Sequence, residues 1–309
     1  MKAICAACDD KFVPHFATTM MSVAISNPGV KTYLVSDGIS PENLAKLSAF
    51  SSRIAVDLEI IDASQLDLSG LKTRKNYSRA VWIRVFLPQL LPASLETVLH
   101  LDADVLVLKD VAPLFEFEMG AHPIAAVPED DTPRTRERKA TLGIDEADPY
   151  INPGVMLMNL SAWRERELST RVRDYALANA EKLFLLDMCA INAVMAHEAA
   201  ILERTYNFFP HVHSSDRIDP RIVHYAGPKP WNKRHVACGY LYHHFRAMTP
   251  WPEKPVSFSL ADFRETARYH IKNWRRSLLN QLGAKKYAHS AQNYRNARIN
   301  NSRFRRLIH

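Results

Sequence analysis

The chain has 309 residues, of which 47% are hydrophobic and 24% charged, with four cysteines. That composition suits one large α/β domain, or a domain with a small appendage, and excludes a disordered, collagen-like or disulfide-stapled chain. The net charge of +7 is uneven: twelve of the 40 Lys and Arg, but only Glu265 among the acids, fall in residues 264–309, so this tail carries +11 and the remainder −4.

In chain order, residues 3–8 form a short apolar run ending at Asp9-Asp10-Lys11 and read as a strand. Residues 14–26 read as a helix, with Phe16, Met20, Val23 and Ala24 on one face and Asn27-Pro28-Gly29 as its stop. A β-branched and aromatic strand is expected over 32–35, a helix over 41–50, and an alternating strand over 54–61. A helix follows over 77–87, then a buried strand over 97–101 that runs into Asp102-Ala103-Asp104. Further strands are expected at 124–127, 154–159 and 221–225, and helices at 161–181 and 187–197. Residues 128–150 are polar and read as a long loop with a short helix. The βαβα order implies a Rossmann-like, mainly parallel sheet with helices on both faces. Ligands of such sheets bind beyond the carboxyl ends of the strands, where Asp9 and Asp102 fall. A catalytic domain over 1–256 and a basic helical region over 257–309 are expected.

The sharpest local feature is Val98-Leu-His-Leu-Asp102-Ala-Asp104-Val-Leu-Val-Leu108. Carboxylates two residues apart at a strand end project to the same side. Such a pair suits a hard divalent cation that keeps positions open for phosphate oxygens. The same spelling also fits a capped turn beside a solvated acid. The second feature is His224-Tyr-Ala-Gly227-Pro-Lys229-Pro-Trp231, where a Gly-Pro turn brings backbone close to a ligand and Lys229 supplies a point charge for phosphate. His224 offers a neutral imidazole to a metal, and two Asp with one His suit Mn²⁺ better than Ca²⁺. A proline-rich surface loop with a packed Trp231 is the plainer reading of that octapeptide.

Six ordered motifs over residues 1–245 resemble the family-8 retaining glycosyltransferases, a family that includes glycogenin and bacterial lipopolysaccharide galactosyl- and glucosyltransferases. They are Ala6-Ala-Cys-Asp9-Asp-Lys11-Phe12, Tyr33-Leu-Val-Ser-Asp-Gly-Ile-Ser-Pro-Glu-Asn43, Trp82-Ile-Arg84-Val, Leu101-Asp-Ala-Asp-Val-Leu-Val107, Asn152-Pro-Gly-Val-Met-Leu-Met-Asn-Leu160 and the His224–Trp231 segment. The resemblance implies a GT-A fold and a retaining, metal-dependent transfer of glucose or galactose from a UDP-sugar to a lipopolysaccharide or other glycan acceptor. It implies that Asp9 bonds the uracil with Lys11 nearby, and that Arg84 and Ala103 help to hold the donor. Asp102, Asp104 and His224 would bind Mn²⁺ or Mg²⁺, while Gly227 and Lys229 close over the diphosphate. Asn152 and Asp187 would contact the donor sugar, with Asp187 the carboxylate nearest the reacting carbon.

Two departures stand out. One residue, Pro228, separates Gly227 from Lys229 where the family usually has two, which bears on the reach of Lys229. Met188 follows Asp187 where many members carry Gln, so on this alignment a side-chain amide nucleophile is absent. That favours a front-face route or leaves Asp187 as the nearby carboxylate. These departures also give the alternative, a non-catalytic nucleotide-sugar-binding protein on a degenerate transferase scaffold.

Other features carry less. Cys5 and Cys8 have redox spacing but lie on a strand rather than at a helix N-terminus, and His243-His244 has no matching ligand cluster. The cations of residues 132–139 suit either a solvated helix face or an anionic acceptor. In the tail, Ile271, Trp274, Leu278 and Leu282 recur at helical spacing among cations, which fits an interfacial helix on an anionic membrane or a stripe packed onto the domain. No nucleic-acid partner is expected, because the tail has charge but few aromatic platforms. Scattered cysteines and the absence of a leader or of an 18-residue apolar run point to a cytoplasmic enzyme, peripheral on the inner face of the cell membrane.

Overall fold

The computed structural model describes residues 2–74, 78–213, 218–233 and 236–253, and individual positions between 264 and 282. Its strands are β1 (Ala3–Asp9), β2 (Lys31–Asp37), β3 (Leu58–Asp62), β4 (Thr97–Leu101), β5 (Val105–Val107), β6 (Ile124–Pro128), β7 (Ile151–Asn159), β8 (Ala200–Ile201) and β9 (Ile222–His224). Its helices are α1 (Val13–Ser26), α2 (Pro41–Arg53), α3 (Ile83–Leu90), α4 (Ala112–Phe115), α5 (Pro133–Leu142), α6 (Leu160–Glu165), α7 (Leu168–Ala178), α8 (Asp187–Met195), α9 (Pro210–His213) and α10 (Gly239–Ala247).

Seven strands form one sheet in the order β3-β2-β1-β4-β7-β6-β8. β3, β2, β1 and β4 run parallel, and β7 runs antiparallel to both β4 and β6. The expected mixed, mainly parallel α/β architecture is therefore present, with one reversed strand, β7. Because β7 opposes β4, the start of β7 lies at the same sheet edge as the end of β4, with Leu101 paired to Val155. That edge gathers Asp9, Asp102 and Asn152 although they come from strand ends of opposite sense. The sheet is buried on both faces, which is why β4 and β7 read as continuous apolar runs. Trp82 and Trp163 fill one face, Phe16 and Phe50 a second cluster on the other.

A separate two-stranded sheet, β5 with β9, sits beside this edge. Its register pairs Val105 with His224, and Tyr225 N donates to Asp104 O at 3.0 Å. Small polar residues of α1 hold β5 in place. Thr19 Oγ1 donates to Val105 O at 2.7 Å, and Ser22 Oγ accepts from Val107 N at 2.9 Å. Asn27, expected only to stop the helix, also accepts from Val111 N at 2.8 Å and so satisfies buried backbone beyond the strand.

Several expected elements differ. The strand expected at 54–61 begins only at Leu58, because α2 continues to Arg53 and Ala55 turns at φ 54°. The single helix expected over 161–181 is two, broken where Glu167 adopts φ 50°. The break lets the Arg164 guanidinium collect carbonyls at the end of α3 and the following turn, with Pro88 O and Leu95 O both at 2.8 Å. Residues 79–82 form a tight 3₁₀ turn before α3, and the expected start of that helix at Tyr77 lies outside the described residues. Helix α5 supplies the short helix expected within 128–150. Most of the basic region 257–309 lies outside the described residues. Among those that are described, Ile271, Trp274, Leu278 and Leu282 are exposed.

Candidate active site

A cleft of about 540 Å³ opens at the edge where β1, β4 and the start of β7 meet. Asp9, Arg84, Asp102, Ala103, Asp104, Asn152, Asp187, His224 and Lys229, all expected in the site, line it. Lys11 and Gly227 do not line the cleft itself. Lys11 is exposed on the turn after β1. Gly227 is not among the lining residues, and a Cβ there would stand 2.8 Å from His211 Nε2, so a larger residue would require that ring to shift. Asp9 caps the turn, its Oδ1 accepting from Phe12 N at 3.1 Å.

On the cleft floor, one ligand atom from each of Asp102, Asp104 and His224 lies within 4.8 Å of the others; this is the one such group of potential metal ligands among the described residues. His224 Nε2 stands 3.2 Å from Asp104 Oδ1 and 3.8 Å from Asp102 Oδ2. Its other ring nitrogen, Nδ1, lies 2.9 Å from Asn207 Oδ1. The Asn207 amide is oriented by Nδ2, which donates toward Asn152 O at 3.4 Å and Asn152 Oδ1 at 3.3 Å, so its oxygen faces the imidazole and accepts from Nδ1–H. That leaves the Nε2 lone pair aimed at the carboxylates, so the Asn207 amide fixes the tautomer in which His224 can ligate a metal ion. Asp104 Oδ1 is buried and makes no hydrogen bond, despite its proximity to Nε2. An imidazole lone pair and an unpaired buried carboxylate oxygen facing each other fit a divalent cation between them. Gly154 makes the room, since a Cβ there would lie 2.8 Å from Asp102 Oδ2 and collide with His224 Cε1.

The electrostatics separate the three carboxylates. Burial alone would push Asp102 up, but Arg84 and His100 outweigh it and hold the carboxyl below its ordinary range. Burial is likewise outweighed at Asp104, by the Lys229 ammonium, and that carboxyl lies well below its ordinary range. Asp187 goes the other way. Burial, reinforced by the negative Asp102 and only partly opposed by Arg84, pushes it up to about 6. Arg84 links the two sides: Nη2 stands 2.9 Å from Asp102 Oδ1 and Nε 2.8 Å from Asp187 Oδ2. The second contact is a charge contact, because the Nε–H itself points to Val81 O at 3.3 Å. Arg84 Nη1 donates to Pro153 O at 3.0 Å, which completes a fixed, buried guanidinium. Asp187 opens α8 after Leu186, a buried non-glycine residue at φ 52° and ψ −123°. Such backbone costs about 1–3 kcal/mol and marks a turn held by its surroundings beside the candidate site.

The mouth of the cleft is differently built. Glu129 is occupied by Arg138 at 3.1 Å and Asn152 at 3.2 Å, and Asp130 by Arg204 at 2.6 Å and His213 at 3.3 Å. On α5, Arg136 is paired with Asp131 and Lys139 with the carbonyls of Glu146 and Asp148. Arg134 lines the cleft with no hydrogen-bond or ion-pair partner among the described residues. Sequence reasoning missed Asn207, Gly154, His100 and His211. The discounted features stay discounted: Cys5 and Cys8 are buried in different core clusters, and His243 contacts Glu253.

Residues 3–235 match the family model described as Glycosyl transferase family 8. The chain belongs to this family. Among curated relatives, it is similar to General stress protein A of Bacillus subtilis (strain 168), 23% identical over 80% of this chain and 94% of that one. It is 22% identical to a lipopolysaccharide 1,2-glucosyltransferase of Escherichia coli (strain K12), over 79% of this chain and 77% of that one. Its match to glycosyltransferase GlyF of Streptococcus pneumoniae, at 26% identity, covers 75% of this chain but 57% of that longer protein. Among solved structures, the galactosyltransferase LgtC in complex with donor and acceptor sugar analogs superposes with a TM-score of 0.74 at 21% identity, over 81% of this chain and 97% of that one. This likeness shows the GT-A fold. Family membership makes the chain a glycosyltransferase and the cleft its candidate active site.

Proposed function

We propose that the enzyme is a retaining, divalent-metal-dependent glycosyltransferase that moves glucose or galactose from a UDP-sugar to a lipopolysaccharide, lipooligosaccharide or related surface glycan. The observation that carries this reading is the Asp102–Asp104–His224 group, with one buried carboxylate oxygen unpaired and one imidazole nitrogen prepared by Asn207. These three side chains would hold Mn²⁺ or Mg²⁺. Bound there, the cation supplies positive charge to the diphosphate as the sugar–phosphate bond weakens.

The chain's own groups divide the remaining work. Asp9 and Ala103 line the uridine side and Lys229 faces the departing diphosphate, where an ammonium stabilises charge that grows in the transition state. Asp187 and Asn152 line the sugar side. Ionised above its raised range, Asp187 stabilises an oxocarbenium-like carbon, and Arg84 fixes where that carboxylate points. Met188 also lines the cleft and brings no amide to the reacting face, consistent with a front-face route. Arg134 at the mouth offers an ion pair to an acidic acceptor.

The test is binding and turnover on one preparation. Calorimetry with uridine diphosphate should show uptake strengthened by Mn²⁺, and a screen of UDP-sugars should release uridine diphosphate for UDP-glucose or UDP-galactose. Metal-independent uptake sinks the metal reading. Strong binding of every UDP-sugar with no hydrolysis or transfer favours the non-catalytic alternative, which Met188 and the short Gly227-Pro228-Lys229 turn motivate.

The basic tail is proposed to hold the enzyme on the anionic inner face of the cell membrane. Support comes from the exposed Ile271, Trp274, Leu278 and Leu282 among cations, each worth about 1 kcal/mol near such a surface. Among the described residues no helix is long and apolar enough to cross a membrane. Flotation with anionic vesicles at low salt should carry the full chain upward; failure to float removes this attachment.

A further inference from the structure

The cleft holds two cations of different character beside the candidate metal ligands. Arg84 is buried and anchored on both sides by Asp102, Asp187 and two backbone carbonyls. Lys229 is about a quarter exposed and reaches the group from the opposite wall. Its Nζ donates to Asp104 Oδ2 and, at 2.7 Å, to Tyr225 O. The one-residue spacing through Pro228 therefore delivers the ammonium onto a carboxylate of the ligand set. The loop is braced from behind, since Trp231 stacks on His15 with ring centroids 3.7 Å apart and His15 Nδ1 lies 2.6 Å from Tyr242 Oη.

An ammonium and a divalent cation cannot occupy one carboxylate without strong mutual repulsion at low dielectric. Arg84 has no freedom to retreat, whereas Lys229 has a flexible four-carbon stem and an open cleft in front of it. We propose that Lys229 is the resident counter-ion of Asp104, that a divalent cation must displace it, and that a nucleoside diphosphate draws the freed ammonium away and so tightens cation binding. This rests on the diphosphate-and-metal reading above and adds to it an order of events. The cation alone binds weakly because it competes with Lys229. With the diphosphate present, Lys229 gains an anionic partner of its own and the competition ends. By linkage the same factor must strengthen nucleotide binding when the cation is present.

The experiment measures Mn²⁺ binding, not turnover, by the electron paramagnetic resonance of free Mn²⁺. Wild type, Lys229→Met and Arg134→Gln are compared with and without saturating uridine diphosphate. Arg134→Gln removes a cleft cation that touches none of the three ligands. Without nucleotide, Lys229→Met should bind Mn²⁺ at least about 10-fold tighter than wild type, equivalent to about 1.4 kcal/mol. Arg134→Gln should stay close to wild type, and uridine diphosphate should tighten Mn²⁺ binding more in wild type than in Lys229→Met. Unchanged or weaker Mn²⁺ binding by Lys229→Met overturns the proposal, as does an equal gain in Arg134→Gln, which would reveal general charge repulsion instead.

A second measurement needs no variant. Trace labelling of wild type with an amine-reactive reagent, read by mass spectrometry at Lys229, should accelerate when Mn²⁺ is added and slow again with uridine diphosphate. A labelling rate indifferent to Mn²⁺, in protein that demonstrably binds it, refutes displacement. If wild type shows no Mn²⁺-assisted uptake of uridine diphosphate at all, the functional reading itself fails, and that outcome is distinct from the others.

Discussion

Replacing Asn207 by Ala isolates the step by which the protein prepares His224. Asn207 is fully buried, 17 residues from His224 in sequence, and does not itself line the cleft. Its loss leaves the His224 Nδ1–H without an acceptor in a buried setting, a cost of about 1–3 kcal/mol. For a domain of this size, a loss of that order moves the melting temperature by several degrees at most. It also frees the imidazole to take the other tautomer or to turn, and losing such an outer-shell partner weakens metal binding by about 10–100-fold. Two measurements should therefore move together, the thermal midpoint and the Mn²⁺-dependent affinity for uridine diphosphate. Asn207→Asp is the informative companion, because a carboxylate still accepts from Nδ1–H and should restore most of the metal dependence. An Asn207→Ala protein that is destabilised yet keeps its full Mn²⁺ dependence would show that the amide is structural only and refute the reasoning.

Four further outcomes follow from the geometry. Asp187 sits above its ordinary range at about 6, so the folded state binds its proton more tightly than the unfolded chain and stability falls as pH rises from about 4 to 6. Asp187→Asn should then be more stable than wild type at pH 8, by up to about 3 kcal/mol at 1.36 kcal/mol per pH unit, with little difference near pH 4 and with transfer abolished; a pH-independent offset in denaturant midpoints refutes this. Gly154→Ala should cost about 1–3 kcal/mol through overpacking and blunt Mn²⁺-assisted nucleotide uptake, because the new methyl group meets both Asp102 and His224; calorimetry showing wild-type uptake counts against it. The four cysteines are buried, and burial pushes Cys5, Cys8 and Cys189 up and Cys238 up to about 12, so a thiol reagent at pH 8 should label none in the native state and four after denaturation. Arg134→Ala should raise the KM for an anionic acceptor several-fold while leaving donor hydrolysis unaltered; equal effects on both would place Arg134 elsewhere.

Much of the catalytic edge is legible in the sequence because strand ends announce themselves. Asp9 and Asp102 terminate apolar runs, and in a parallel pair such ends come to one edge without further information. Asn152 reaches the same edge only because β7 is reversed, and nothing local in its apolar pattern distinguishes the two senses. The β5 strand was invisible for a related reason. Val105–Val107 reads as a continuation of the apolar run after Asp104, although it leaves the main sheet and pairs with Ile222–His224 instead. The alternation at 54–56 misled because Ile54 closes α2 and Val56 N bonds back to Ser51 O, a turn with strand-like spelling. Asn207 carried no signal at all, since its role depends on a contact with His224, 17 positions further along the chain.

Those failures share a cause that bears on the chemistry. The acidic pair is written contiguously in the chain, but its function depends on partners supplied from other elements: Arg84 from α3, Asp187 from α8, and His224 and Lys229 from the β9 segment. The set of partners differs at each carboxylate, so three nearly identical side chains acquire different affinities for protons. Asp102 is fixed by an immobile guanidinium, Asp104 is held by a movable ammonium, and Asp187 is left partly uncompensated at the mouth of a helix. A bare Asp-x-Asp therefore says where a cation could bind, whereas the exchangeable partner on Asp104 determines when it does. In this protein that partner stands on the same eight-residue segment as the third ligand, His224, so one short stretch of chain supplies both a ligand and the charge that competes with the cation.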